Sequence, residues 1–215
     1  MRSIAQLGVL RERGARLAAV RGRARVTDEP NTSAIFPAVV GVLVLIASET
    51  MFFAGLLSAY VVLRAGALAW PPPGQPWLPA GVTAVNSLFL FGSGYTMYRA
   101  VSETRFGARP GALAWLAATM ALGLTFLAVQ GTEWVHLVRF GLTLRSSLYG
   151  ALFYTLVGAH GLHVVAAVIA LLVVSYRLAM PKKRVLNHAG VVPLSLYWWF
   201  VVALWPVIYV TVYLG

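Results

Sequence analysis

The 215-residue chain has no cysteine and only six acidic residues. Without cysteine there is no disulfide framework, thiolate metal site, iron–sulfur cluster or thiol nucleophile. Charge of either sign is scarce. Only 11% of residues are Asp, Glu, Lys or Arg, against about 25% in a soluble domain. That shortage excludes an ordinary soluble enzyme and a disordered chain. Also missing are a Gly-rich phosphate loop, a Ser–His–Asp arrangement and a zinc-protease motif.

What the sequence does hold is apolar surface: 60% of residues are hydrophobic and the mean hydropathy is +0.78. The 17 Lys and Arg give a net charge of +11. They lie between long apolar runs, as membrane topology requires, so no nucleic-acid partner is expected. A bilayer core of about 30 Å needs about 20 apolar residues in a helix. Five stretches qualify: Ile35–Leu63, Ala80–Val101, Ala112–Val138, Ser147–Tyr176 and Val191–Leu214. None alternates as a membrane barrel strand does. The loop Trp70-Pro71-Pro72-Pro73-Gly74-Gln75-Pro76-Trp77 cannot be helical because of its prolines. The predicted fold is all-α: an integral membrane bundle of five transmembrane helices over residues 34–215, preceded by a basic tail, residues 1–33.

Positive charge sets the orientation. The tail carries seven Arg; Arg99, Arg105 and Arg109 follow the second span, and Arg177, Lys182, Lys183 and Arg184 follow the fourth. Only Arg64, Arg139 and Arg145 fall on the opposite side. This asymmetry predicts an N-in/C-out topology, a cytoplasmic tail and residence in the cell's inner (plasma) membrane. The other reading of the tail is an Arg-rich organelle presequence, with a mitochondrial inner membrane as destination. Glu12, Asp28 and Glu29 within the tail argue against it.

An ionisable residue inside a span is a functional candidate, because a charge at mid-membrane costs about 2.5–3.5 kcal/mol on insertion scales. There are five: Glu49, Glu133, His136, His160 and His163. Glu49 falls at the middle of the first span, and His160 and His163 near the middle of the fourth. Equal depth predicts that Glu49 meets His160 or His163. The two histidines, three residues apart, project from one side of their helix, with Gly158 and Gly161 roughly opposite. Each of these groups also has a plainer reading, as a neutral hydrogen-bonding residue of the core. Glu133 and His136 form a Glu-x-x-His pattern, the spacing that di-iron bundles use. Such sites need two copies and two further Glu, so no metal site and no catalytic residue is assigned. On the second span, Thr83, Asn86, Ser93 and Met97 share a face suited to interhelical hydrogen bonds. The aromatics of the fifth span, at both its ends, read as interfacial anchors.

These residues, taken in order, resemble subunit III of haem–copper oxidases. Ser48-Glu49-Thr50-Met51-Phe52-Phe53-Ala54-Gly55 looks like that family's signature. So do Tyr149-Gly150-Ala151-Leu152-Phe153-Tyr154, Gly158-Ala159-His160-Gly161-Leu162-His163-Val164 and Gln130-Gly131-Thr132-Glu133-Trp134. The Trp70-Pro71-Pro72 loop, Asn86, Tyr197-Trp198, Trp205 and the Tyr209–Tyr213 run are also similar. Family members usually have seven spans, and five resembles the short form lacking the first two. The resemblance implies no haem or copper in this chain, with both expected in the catalytic subunit I and in subunit II. It implies contact with membrane phospholipids, and a role in stabilising the catalytic subunit and supporting proton uptake while the complex reduces oxygen. By resemblance, Glu49 matches the family's carbodiimide-reactive membrane carboxylate. One departure stands out. Where the family reads Trp-His-Phe-x-Asp-x-x-Trp, this chain has Trp199 at the His position and Val202 at the Asp position. That leaves a second partner open, a nitric oxide reductase. A rival of another class is an independent membrane metalloenzyme or proton-coupled transporter built on the five ionisable residues.

Overall fold

Each apolar run becomes a helix, and the turn residues between them become the connections. A computed structural model describes residues 32–180 and 190–215, with side chains from Ile35 onward. Residues 1–31 of the basic tail lie outside the described residues. So does the segment 181–189, which holds Lys182, Lys183, Arg184 and His188. The elements are α1 (Thr32–Ala65), α2 (Ala80–Arg105), α3 (Arg109–Arg139), α4 (Leu148–Ala179) and α5 (Val191–Tyr209), which continues as a π-helical turn, Val210–Leu214. Among the described residues there is no strand. Residues 35–215 form one compact unit.

Four helices, α1, α3, α4 and α5 with its π turn, are long and apolar enough to cross a membrane. The sequence predicts a fifth such span over α2. Its 26 residues reach about 39 Å at 1.5 Å per residue, so length is sufficient, but it is amphipathic rather than clearly apolar. The reason is visible in its packing. Thr83, Asn86, Ser87, Ser93, Thr96 and Thr104 are all buried inside the bundle. A helix whose polar face is covered by protein can present its apolar side chains outward, and Val85, Leu88, Phe91 and Tyr95 do so.

The core lies among α2, α3, α4 and α5. α1 sits at its margin, with only Phe53 and Tyr60 fully buried. Its less exposed described residues nonetheless form one stripe: Ile35, Val39, Val42, Ile46, Glu49, Phe53, Leu56, Leu57, Tyr60 and Arg64. They recur every three or four residues, the spacing of a single helix face. Glu49 is at the centre of that stripe, so the carboxyl is carried toward α4 rather than away from the bundle. At one end of α1, the Trp70 ring stands edge-on to both Tyr60 (5.7 Å) and Tyr149 (5.0 Å), linking α1 to α4 through the proline-rich loop.

The α3–α4 hairpin shows why one glycine there is required. Ser147 caps α4, its Oγ accepting from the Gly150 N–H at 3.1 Å. A Cβ on Gly150 would overlap the backbone carbonyl of Thr143. Neither group can rotate away, because Thr143 is tied to Ser146 through both its N–H and its carbonyl. Gly150→Ala is therefore expected to destabilise by about 1–3 kcal/mol, the usual range for overpacking, despite alanine's better helix propensity. A thermal unfolding midpoint in detergent unchanged from that of the parent would contradict this account.

Candidate functional site

Two polar groupings lie inside the bundle. In the first, Glu49 of α1 and His163 of α4 meet directly, with Oε2 2.8 Å from Nε2. The other imidazole nitrogen, Nδ1, is 2.7 Å from the Ala159 carbonyl one turn earlier in α4. A carbonyl only accepts, so Nδ1 carries a hydrogen. Either Nε2 is then unprotonated and Glu49 is a carboxylic acid donating to it, or Nε2 is protonated and donates to a Glu49 carboxylate. Both arrangements place one proton between the two groups and leave the pair neutral overall. If that proton is removed, two acceptors face each other at 2.8 Å and the contact is repulsive.

The surroundings suit such a pair. Phe53 stands edge-on to the His163 ring at 5.1 Å, and Phe52 flanks it at 6.2 Å. The Glu49 side chain is 21% exposed and that of His163 16%. Ser48, Glu49, Phe52 and His163 line a shallow groove of about 350 Å³. The carboxyl is thus held by one strong partner yet remains reachable from the membrane side of α1.

His160, the other half of the histidine pair, is elsewhere. At about 100° per residue, a three-residue step leaves roughly 60° between the two side chains. That is enough to send His163 toward α1 and His160 into the core. The His160 ring stacks on Trp205 of α5 at 5.0 Å, with Phe126 of α3 edge-on at 6.3 Å. Gly158 and Gly161 face Trp134 of α3, whose ring would be 3.8 and 3.6 Å from a Cβ at each position. Gly158, His160 and Gly161 all line one cavity.

Asn86 is buried between α2 and α3, where its Nδ2 donates to the Phe126 carbonyl at 3.0 Å. Glu133 is half-buried on α3, and His136 is exposed nearer its C-terminal end. Neither joins the Glu49–His163 pair, since both nitrogens of His163 are already engaged. Among the described residues no three His, Asp or Glu come together as a group able to hold a metal ion.

The second grouping is one that sequence reasoning missed. Trp198 and Trp205, read from sequence as interfacial anchors, are completely buried. Their indole N–H groups donate to serines of α2: Trp198 Nε1 to Ser93 Oγ at 3.2 Å, and Trp205 Nε1 to Ser87 Oγ at 2.7 Å. Trp199 Nε1 donates to the Gly94 carbonyl at 3.1 Å, and Tyr209 OH to the Ala80 carbonyl at 3.0 Å. Rising numbers on α5 meet falling numbers on α2, so the two helices run antiparallel, joined by a ladder of hydrogen bonds. Thr96 and Thr119 add a hydroxyl contact of 2.8 Å between α2 and α3. The available signal was the spacing: Trp198 and Trp205 are seven apart, and Ser87 and Ser93 six.

The same seam explains the departure at Trp199 and Val202. Both side chains pack on Gly94 of α2, Trp199 through its hydrogen bond and Val202 through a methyl 3.5 Å from the position a Cβ would take. An indole donor on a helix carbonyl, with an aliphatic neighbour, needs no acidic partner. The substitution is internally consistent and lies between two helices of this chain.

Comparison with known proteins agrees with this architecture. The sequence model of the family "Cytochrome c oxidase subunit III" matches residues 28–215. The chain is 37% identical over 175 residues to "Cytochrome c oxidase subunit 3" of Synechocystis, covering 81% of this chain and 74% of that protein. It is 34% identical over 196 residues to "Probable cytochrome c oxidase subunit 3" of Mycobacterium leprae, covering 91% and 94%. A relative of the same name from Nocardia farcinica is 36% identical over 178 residues. With the family matched across all of the described helices, the chain belongs to the cytochrome c oxidase subunit III family.

Proposed function

We propose that this chain is a non-redox accessory subunit III of a respiratory haem–copper oxidase. In that role it packs against the catalytic subunit I in a complex with subunit II, contacts membrane phospholipids, and supports proton uptake on the cytoplasmic side. Haem and copper reside in the other subunits, and the chain crosses the plasma membrane five times with its N-terminus inside. The observation carrying the reading is the Glu49–His163 pair. It is a proton-holding acid and base at mid-span on the least buried helix, 2.8 Å apart and open to a groove. Such a pair stores a proton inside an apolar layer without net charge, which offsets the penalty for burying either ion alone.

The departure at Trp199 and Val202 gives no reason to prefer a nitric oxide reductase, because both residues pack on α2 of the same chain. Purification from native membranes in mild detergent tests the assignment. The chain is expected to co-elute with haem-bearing subunits and to carry no haem, iron or copper when separated from them. A stoichiometric metal or turnover by the separated chain would overturn it, and co-elution with a nitric oxide reductase would replace the proposed partner.

A further inference from the structure

A cavity of about 280 Å³ opens between α3 and α4, and no residue of α1 or of the Glu49 groove lines it. Glycine makes the space. Gly131 of α3 and Gly158 and Gly161 of α4 stand on its wall. Trp134 covers the two α4 glycines, but a Cβ on Gly131 would meet nothing within 4 Å. The polar atoms of the lining side chains are turned away from the void. Both nitrogens of His160, Trp134 Nε1 and Gln130 Oε1 are buried out of reach of a water molecule, and the Gln130 amide nitrogen donates to Tyr213 OH at 3.0 Å. No charged side chain lines the wall, which therefore offers mostly carbon. An apolar cavity of about 150 Å³ stays dry and takes up a small hydrocarbon, and this one is larger. Left empty, its lining atoms would lack dispersion partners on one side.

We propose that this cavity holds one acyl chain of an anionic phospholipid whose phosphate sits at Arg139 and Arg145, the two cations at the end of the same hairpin. The wall determines the buried part. With no accessible donor, acceptor or charge, it fits hydrocarbon and rejects water, which needs two to four polar partners per molecule. The opening is lateral, beside Leu162 and Val165, which line the cavity and are 67% and 40% exposed. The charge pattern determines the head. The 31 residues of α3 reach about 46 Å at 1.5 Å per residue, against about 30 Å of hydrocarbon, so the last turn, with Arg139, emerges at the level of the head groups. Arg139 is eight residues past Gly131, about 12 Å along the helix, within the span of one acyl chain and its glycerol. Arg139 and Arg145 are exposed, and neither makes an ion pair among the described residues. Glu133 is the only acid between residues 126 and 165, so this end of the hairpin is net positive and complements a phosphate, which guanidinium groups bind through charge-assisted hydrogen bonds. The inference rests on α3 and α4 crossing a membrane, not on the assignment of the chain to an oxidase, and none of the readouts below depends on which complex holds it.

The test is photolabelling of the intact purified complex in phosphatidylcholine vesicles that contain a small share of phosphatidylglycerol bearing a diazirine at mid-chain, read by peptide mass spectrometry. Label is expected on segments 126–134 and 157–165, above the level over the other helices. A phosphatidylcholine probe with the same diazirine should label these segments severalfold less. Gly131→Leu places a side chain in the open space beside α3 and should lower the labelling by about tenfold, the effect of denying two buried methylenes their site. Arg139→Gln combined with Arg145→Gln leaves the void intact and should bring phosphatidylglycerol labelling down to the phosphatidylcholine level. Equal labelling by the two probes in the parent complex, a comparison that needs no variant to fold, would overturn the proposal. So would unchanged labelling of an assembled Gly131→Leu complex, or labelling that appears only after the other subunits are stripped away, since one of their side chains would then fill the void.

Discussion

Glu49→Gln is expected to leave the complex assembled but short-lived in turnover, whereas Glu49→Ala is expected to loosen the subunit as well. The difference follows from His163. Its Nδ1–H is spent on the Ala159 carbonyl at 2.7 Å, so in the neutral ring Nε2 is an acceptor. The amide NH2 of glutamine can donate to that acceptor across the same 2.8 Å, and the link between α1 and α4 survives. An amide, however, neither releases nor takes up a proton at ordinary pH. In the alanine variant the acceptor has no partner, at a cost of about 1–3 kcal/mol for a largely buried group. α1 buries little else besides Phe53 and Tyr60, so that loss is a large part of its attachment. Subunit stoichiometry after purification, the number of turnovers before inactivation and the haem absorption spectrum separate the cases. Glutamine should match the parent in stoichiometry and fall below it in turnovers. Alanine should fall in both, and all three proteins should share one haem spectrum. If glutamine equals the parent in every readout, the pair is structural and the proton role is lost.

The helices were legible in the sequence because a bilayer imposes their length, and the turns because proline and glycine mark them. Glu49 was legible for a related reason: a carboxyl in the middle of a 34-residue apolar helix has few stable options other than a polar partner of equal depth. Which histidine it meets was not legible, because His160 and His163 differ by about 60° around α4 and the choice depends on where α1 and α5 pack. The tryptophans were misread for the same kind of reason. Trp198 and Trp205 have the composition of interfacial anchors, and only the antiparallel register of α5 on α2 brings them to Ser93 and Ser87. The polar content of α2, which lowers its hydropathy, is the counterpart of those indole donors. A helix that looks less membranous than its neighbours is here one that turns its polar face into the bundle.

Gly123 is a tight point of the core. A Cβ on Gly123 of α3 would lie 2.8 Å from the far edge of the Trp198 ring, closer than two carbons approach. Trp198 has nowhere to retreat: it is completely buried and tethered by its N–H to Ser93. Alanine's advantage over glycine in a helix is about 1 kcal/mol, while overpacking costs about 1–3 kcal/mol. Pushing the ring aside would also break a buried hydrogen bond worth about 1 kcal/mol, and leave the Trp198 N–H without its acceptor. Gly123→Ala is therefore expected to destabilise by about 1–3 kcal/mol net. Trp198→Phe should also destabilise, by loss of ring volume and of the N–H donor. Combined, the two should interact. The shorter phenyl ring vacates the space the new methyl needs, so the double variant should be more stable than the sum of the single losses by about 0.5–3 kcal/mol, the range for residues in contact. Thermal midpoints of the four proteins in one detergent measure that coupling. Strict additivity would mean that Trp198 and Gly123 are not in contact, and the seating of α5 against α2 and α3 would have to be redrawn.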